Sequence, residues 1–128
     1  MSKPSVDDKT RKKRAQKRGR WAEALARLYL RATGRRILAA NFKTPVGEID
    51  IIARRGDLIS FVEVKARADT AAAAAAITAT QQSRIARAAE YFLMQNPALQ
   101  ACDIRFDVAL VSGPLTLSYQ ADAWRPQR

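Results

Sequence analysis

A chain of 128 residues with 48% hydrophobic content holds one modest core and is too short for two ordinary domains. It carries 23 Lys and Arg against 12 Asp and Glu, a formal charge of +11, with no histidine and a single cysteine, Cys102. That inventory excludes Ser-His-Asp and Cys-His triads, His-ligated zinc, an internal disulfide and multi-cysteine metal centres, and its five glycines form no phosphate-cradling Gly-rich motif.

Residues 1–20 hold nine Lys or Arg and two Asp, against fourteen and ten in the other 108. The excess charge is therefore mostly an N-terminal arm, expected over residues 1–18. Its Lys9–Arg20 stretch is too polar to pack and is expected to be disordered or a frayed helix extension when free. Such an arm points to nucleic acid before a membrane surface, because it lacks the interleaved Leu, Phe and Trp of an interfacial helix. Trp21–Leu30 is broken by Glu23 and Arg27, unlike a leader's apolar run, and no stretch approaches the roughly 20 apolar residues of a membrane span. A cytoplasmic protein with no membrane partner is expected.

A helix is expected from about Arg18 to Thr33, with Trp21, Leu25, Leu28, Tyr29 and Ala32 as its buried stripe and Gly34 as terminator. Ile37–Phe42 reads as a short strand and Pro45-Val46-Gly47 as a turn. Glu48–Arg54 and Leu58–Arg67 read as two strands around Arg55-Gly56. Asp69–Thr80, with six consecutive alanines, fits helix or mobile loop equally. A second helix is expected from about Thr80 to Asn96, burying Ile85, Ala88, Ala89, Phe92 and Leu93 and stopped by Pro97. Ile104–Val111 is a strongly apolar strand, and Leu115–Tyr119 a short edge strand. The order α-β-β-β-α-β predicts a single α/β domain over 19–124, a mixed sheet flanked by helices, with 125–128 as a tail.

The chemistry lies in Gly47-Glu48-Ile49-Asp50-Ile51-Ile52 and Phe61-Val62-Glu63-Val64-Lys65. A two-residue loop at Arg55-Gly56 pairs residues whose numbers sum to 111, which sets Asp50 opposite Phe61 and diagonal to Glu63. Any odd sum keeps Asp50, Glu63 and Lys65 on one face. Diagonal neighbours lie about 7–8 Å apart, close enough for two carboxylates to share a cation. Acids and a lysine on a largely buried strand are costly unless paired. Mg²⁺ or Mn²⁺ on the two carboxylates would satisfy them and activate water, with Lys65 stabilising charge on a phosphate. The alternative is an ion pair of Lys65 with Glu63 or Asp50 on a solvated face. Arg54, Arg55 and Arg67 near the hairpin, with Arg20 and the arm residues Lys12 and Lys13, are the candidates for nucleic-acid contacts. Asp107 is expected to pair with Arg105, Cys102 to fill space near the core, and Trp21 and Tyr29 to sit in it.

The segments Gly19-Arg20-Trp21-Ala22-Glu23, Gly47–Ile52, Phe61–Arg67 and Arg105–Val108 together resemble the YraN family of small bacterial proteins. That family is similar to archaeal Holliday-junction resolvases within the PD-(D/E)XK nuclease superfamily, and the likeness covers about residues 19–124. The resemblance implies a restriction-endonuclease-like core with Asp50, Glu63 and Lys65 as the catalytic signature and Glu23 as an additional acidic metal-site residue. The helical reading alone places Glu23 opposite the Trp21 stripe, where an i,i+4 pair with Arg27 is the simpler role. Where the family usually has a lysine at the start of the second helix, this chain has Gln81, which can hydrogen-bond but carries no charge. The expected function is a metal-dependent, structure-selective DNA endonuclease acting on branched DNA, for which a homodimer is compatible with the two strands to be cut. The alternatives are a non-catalytic nucleic-acid-binding module with the same fold, and an assembly factor.

Overall fold

The structure, a computed structural model, describes residues 6–66 and 77–126, with side chains for 19–66 and 77–126. Arg67, the side chains of Lys12 and Lys13, and most of the alanine-rich stretch lie outside the described residues. The first helix, α1 (Val6–Ala32), is longer at its start than its apolar pattern suggests. It ends as expected at Gly34, whose φ of 85° belongs to the left-handed region. Gly34 N–H donates to Arg31 and Arg35 N–H to Leu30, which closes the helix with a Schellman pair of bonds.

Five strands follow, β1 (Arg36–Thr44), β2 (Gly47–Arg55), β3 (Leu58–Ala66), β4 (Asp103–Gly113) and β5 (Thr116–Trp124), in the spatial order β1-β2-β3-β4-β5. Three pairs are antiparallel, while β3 and β4 run parallel and are joined through α2 (Ala79–Gln95) and a 3-10 turn at Pro97–Leu99. A parallel pair needs such a crossover, and an antiparallel pair only a tight turn. The last strand was expected to be short, but it is nine residues long and pairs with β4 from Phe106 to Gly113. The result is a mixed sheet between two helices, the restriction-endonuclease-like α/β arrangement.

Each helix seals one face. Under α2, Ile85, Ala88, Ala89 and Phe92 meet Ile49, Ile52, Ile59, Phe61, Phe106 and Leu110, with Phe106 stacked between Phe61 and Trp124. Under α1, Ala26 and Leu30 meet Ile51, Ala53, Val62 and Ala109. The buried face of α1 is Ala22, Ala26 and Leu30, not the expected stripe: Trp21 and Leu28 are 51% and 62% exposed, and Tyr29 and Ala32 are exposed as well. Small residues let the helix axis lie close on the sheet, which turns its largest apolar side chains to the flanks. Trp21 there donates its indole N–H to the Pro114 carbonyl at 2.6 Å, and Tyr29 stacks on Tyr119. No helix among the described residues is long and apolar enough to cross a membrane.

Candidate functional site

The hairpin turn is Gly56-Asp57, one residue later than expected, with Gly56 at a φ of 59°. Residue numbers of the β2–β3 pairs therefore sum to 113 rather than 111, as in Ile51↔Val62 and Ile52↔Phe61. The sum stays odd, so the faces still coincide. The shift of two ends the ladder at Ile51↔Val62, so that Asp50 and Glu63 are the next residues beyond its last pair rather than diagonal neighbours within it. Lys65 shares the face of Glu63, because Val64 between them packs against the cluster under α1.

Strict alternation in β2 fails at Asp50. Ile49 and Ile52 both join the cluster under α2, whereas Ile51 and Ala53 join the one under α1. Across from Asp50 in β1, between the pairs Ala40↔Ile51 and Phe42↔Ile49, stands Asn41 with a φ of 51°, a conformation that asparagine tolerates better than most residues. The β2–β3 ladder ends at Ile51↔Val62, and beyond it the Val64 N–H donates to Asp50 Oδ2 at 2.8 Å. The carboxylate thus occupies the place of a ladder carbonyl and is fixed by the backbone.

The two carboxyl groups are close enough for the Asp50 charge to act on Glu63, and both pKa values rise above the usual carboxylate range. For Glu63 burial is the main cause and the Asp50 charge the second, against the opposing pull of Lys65, and it is pushed up to about 8. For Asp50 burial raises the value while the Val64 N–H and Glu63 hydrogen bonds lower it. Burial and the charge of the neighbouring carboxylate thus both work against full ionisation of Glu63. Lys65 Nζ stands 3.8 Å from Glu63 Oε1, an ion pair longer than a hydrogen bond.

Glu23 comes to the same site from α1. It flanks the Ala22–Ala26–Leu30 face on the side away from Trp21 and does not point straight out from the buried face as the sequence suggests. Burial raises its pKa, the Asp50 charge raises it further, and a hydrogen bond with Asn41 opposes both. Among the described residues no three acidic side chains are arranged as a ready-made metal cage; the close donor pair is Asp50 and Glu63. In front of Glu63 opens a cavity of about 400 Å³, walled by Lys43, Gly47, Glu48, Gln81 and Arg84.

Gln81 therefore reaches the site, but it has a second task. Thr78 caps α2, its hydroxyl accepting from Gln81 N–H while the Gln81 side-chain oxygen accepts from Thr78 N–H at 3.0 Å. This capping box was legible as Thr-x-x-Gln and sets the helix start at Ala79. The arginines at the hairpin tip are remote from the site. Arg54 bonds the Gly56 carbonyl, and Arg55 the Thr33 carbonyl. At about 3.3 Å per residue they lie roughly 13–17 Å along β2 from Asp50. Arg20 is exposed on α1. The residues that sequence reasoning missed are Asn41, Lys43, Glu48 and Arg84. Lys43 and Glu48 are cross-strand partners beside the Pro45-Val46 turn, and Arg84 lies one helical turn beyond Gln81.

Asp107 lies apart from this site. It is fully buried and accepts two hydrogen bonds from Arg105 at 2.8 and 3.0 Å, one from the Tyr119 hydroxyl and one from Asp122 N–H. Its role is structural. Cys102 is half-buried against the larger cluster.

Among known proteins, the profile described as "Uncharacterised protein family UPF0102" matches residues 22–111. A UPF0102 protein of Paramagnetospirillum magneticum is 47% identical over 115 residues, 87% of this chain and 89% of its own. One from Rhodopseudomonas palustris is 57% identical over 91 residues, 71% of each chain. One from Bradyrhizobium is 50% identical over 111 residues, covering 87% and 82%.

Proposed function

The chain belongs to the UPF0102 family, which is the YraN family its GEIDII and FVEVKAR segments resemble, and on that premise we propose that it is a metal-dependent nuclease hydrolysing phosphodiester bonds in branched or otherwise structured DNA. The observation that carries this reading is the gathering of two partly buried carboxyls on neighbouring strands, Asp50 held by the Val64 N–H and Glu63 3.8 Å from Lys65. Two half-buried carboxyls side by side form a poor structural pair and a good pair of oxygen donors for a hard cation. Mg²⁺ or Mn²⁺ fits that donor set and, when bound by Asp50 and Glu63, supplies Lewis-acid activation of the attacking water.

The protein's own residues do the rest. The Val64 N–H holds the Asp50 carboxylate in one orientation, so that a donor is aimed before the cation arrives. Glu63 would be the second donor, holding the cation as a carboxylate with its proton passed to solvent. Lys65, 3.8 Å from Glu63 and not fully committed to it, stabilises negative charge developing on the phosphate oxygens as water attacks phosphorus and the P–O bond to the leaving strand breaks. Glu23 adds negative potential from α1 and reinforces cation binding. The net charge of +11 draws DNA toward a site that is itself acidic.

The test is a cleavage panel with purified protein on four-way junction, flap and single-stranded DNA, with Mg²⁺, with Mn²⁺ and with EDTA. Cutting of at least one substrate, abolished by EDTA, is expected. If nothing is cut in either metal, the nuclease reading fails and the non-catalytic nucleic-acid-binding module takes its place. One observation favours that second reading: the wall position at the start of α2 is Gln81, whose amide oxygen is occupied in the helix cap.

A further inference from the structure

A cluster of carboxylates repels a polyanion, so a phosphate reaching Asp50 and Glu63 must be held by cations close by. Lys65 already stands against Glu63. The cavity in front of Glu63, however, has a cation on each of two walls, Lys43 from β1 and Arg84 from α2, against the acids Glu48 and Glu63. The two are brought there by separate elements. Lys43 stands on one arm of the Pro45-Val46 turn, in register with Glu48. Arg84 is drawn in by Gly47: a Cβ on that glycine would lie 2.9 Å from the Arg84 carbonyl carbon and 3.1 Å from its Cβ, with the carbonyl oxygen closer still. Only a residue without a side chain lets α2 approach β2 this closely.

Neither cation is consumed by the fold. Both side chains are exposed, and the ion pairs among the described residues, Arg54–Asp57, Lys65–Glu63, Arg105–Asp107 and Arg125–Asp122, involve neither of them. A solvated surface explains an exposed cation anywhere. It does not explain two of them, from different elements, facing one cavity floored by the acid of a candidate active site.

We propose that Lys43 and Arg84 form a phosphate-binding pair that holds a nucleic-acid phosphodiester over Glu63. The guanidinium of Arg84 offers two parallel N–H groups to the non-bridging oxygens, and the side chain of Lys43 acts as a point charge from β1. The pair supplies the positive charge that Gln81 does not. Arg54 and Arg55, at the far end of β2, are not part of it. The proposal rests on the reading of Asp50 and Glu63 as the reacting centre.

The experiment is fluorescence anisotropy of a fluorescein-labelled four-way DNA junction in EDTA, titrated with salt, for wild type, Lys43→Gln, Arg84→Gln, the double variant and Arg84→Lys. Each single variant should lower the slope of log Kd against log salt by about one, and the double variant by about two. Arg84→Lys should keep the wild-type slope with weaker binding. A double variant with wild-type Kd and slope overturns the proposal, and so does a wild type without affinity for the junction. The same samples are then given Mn²⁺. A wild type that never cuts, while its double variant loses the slope, removes the nuclease reading and leaves the phosphate-binding pair. A wild type that cuts, while its double variant keeps Kd, slope and KM, removes the pair and leaves the nuclease.

Discussion

At the scale of single residues, Glu63 makes the sharpest demand. Burial pushes its carboxyl up to about 8 in the folded chain, from the ordinary 4.5. The folded state therefore binds the extra proton between those values, so the resulting stability is full below about pH 4.5 and is lost as pH rises toward 8. Melting in EDTA should give a Tm that falls across this window, and Glu63→Gln should flatten the fall. Added Mg²⁺ should raise the Tm most at the alkaline end, where no proton competes for the carboxylates. Asp107 makes the opposite kind of demand. Its four hydrogen bonds are satisfied inside the protein, so Asp107→Ala should cost about 2–4 kcal/mol in urea unfolding and leave metal binding intact. Both acids were legible in the sequence as members of strands with alternating polarity. What distinguishes them was not: the approach of Asp50 to Glu63 depends on where the hairpin turns, and Gly56-Asp57 differs from Arg55-Gly56 by a single residue.

The elements show where pattern and packing part company. Strand and helix order followed from alternation, from i,i+4 spacing and from the Gly and Pro stops, because those signals are local. The orientation of α1 did not follow. A stripe of Trp21, Leu28 and Tyr29 offers far more apolar surface than Ala22 and Ala26, yet the alanines allow the closer approach and are buried at 1% exposure each. This orientation is directly measurable: Leu28→Gln should change stability by no more than about 0.5 kcal/mol, whereas Leu30→Ala should cost roughly 2–5 kcal/mol. The reverse order of effects would restore the sequence-based stripe. The turn-over of β2 at Asp50 was also hidden, since Gly47–Ile52 alternates regularly on paper. Only Asn41, an unusual strand residue, hints at the irregularity across from it. Gly47→Ala should push α2 away from β2 and destabilise by about 1–3 kcal/mol, with Arg84 displaced from the cavity wall.

Across the whole molecule, charge and site are complementary rather than coincident. The acidic pair sits toward the end of β3 that continues into Lys65, and β3 runs parallel with β4, whose following turn holds Trp21 of α1. The basic sequence preceding Trp21 thus leads toward the end of the sheet at which the carboxylates lie. DNA affinity should accordingly fall at least about tenfold between 50 and 200 mM salt, as expected when several phosphates are neutralised together. The absence of histidine, evident from composition alone, narrows the hydrolytic options to carboxylates, lysine and a metal, and the fold brings such a set together at Asp50, Glu63 and Lys65. The most direct measurement of the central claim is single-turnover cleavage of a labelled four-way junction in Mg²⁺ by wild type and by Asp50→Asn, with folding of both checked by circular dichroism. The account predicts cutting by the wild type and at least about a hundredfold loss in the variant, the scale of removing a group that organises the reacting centre. Equal rates for the two proteins would contradict it.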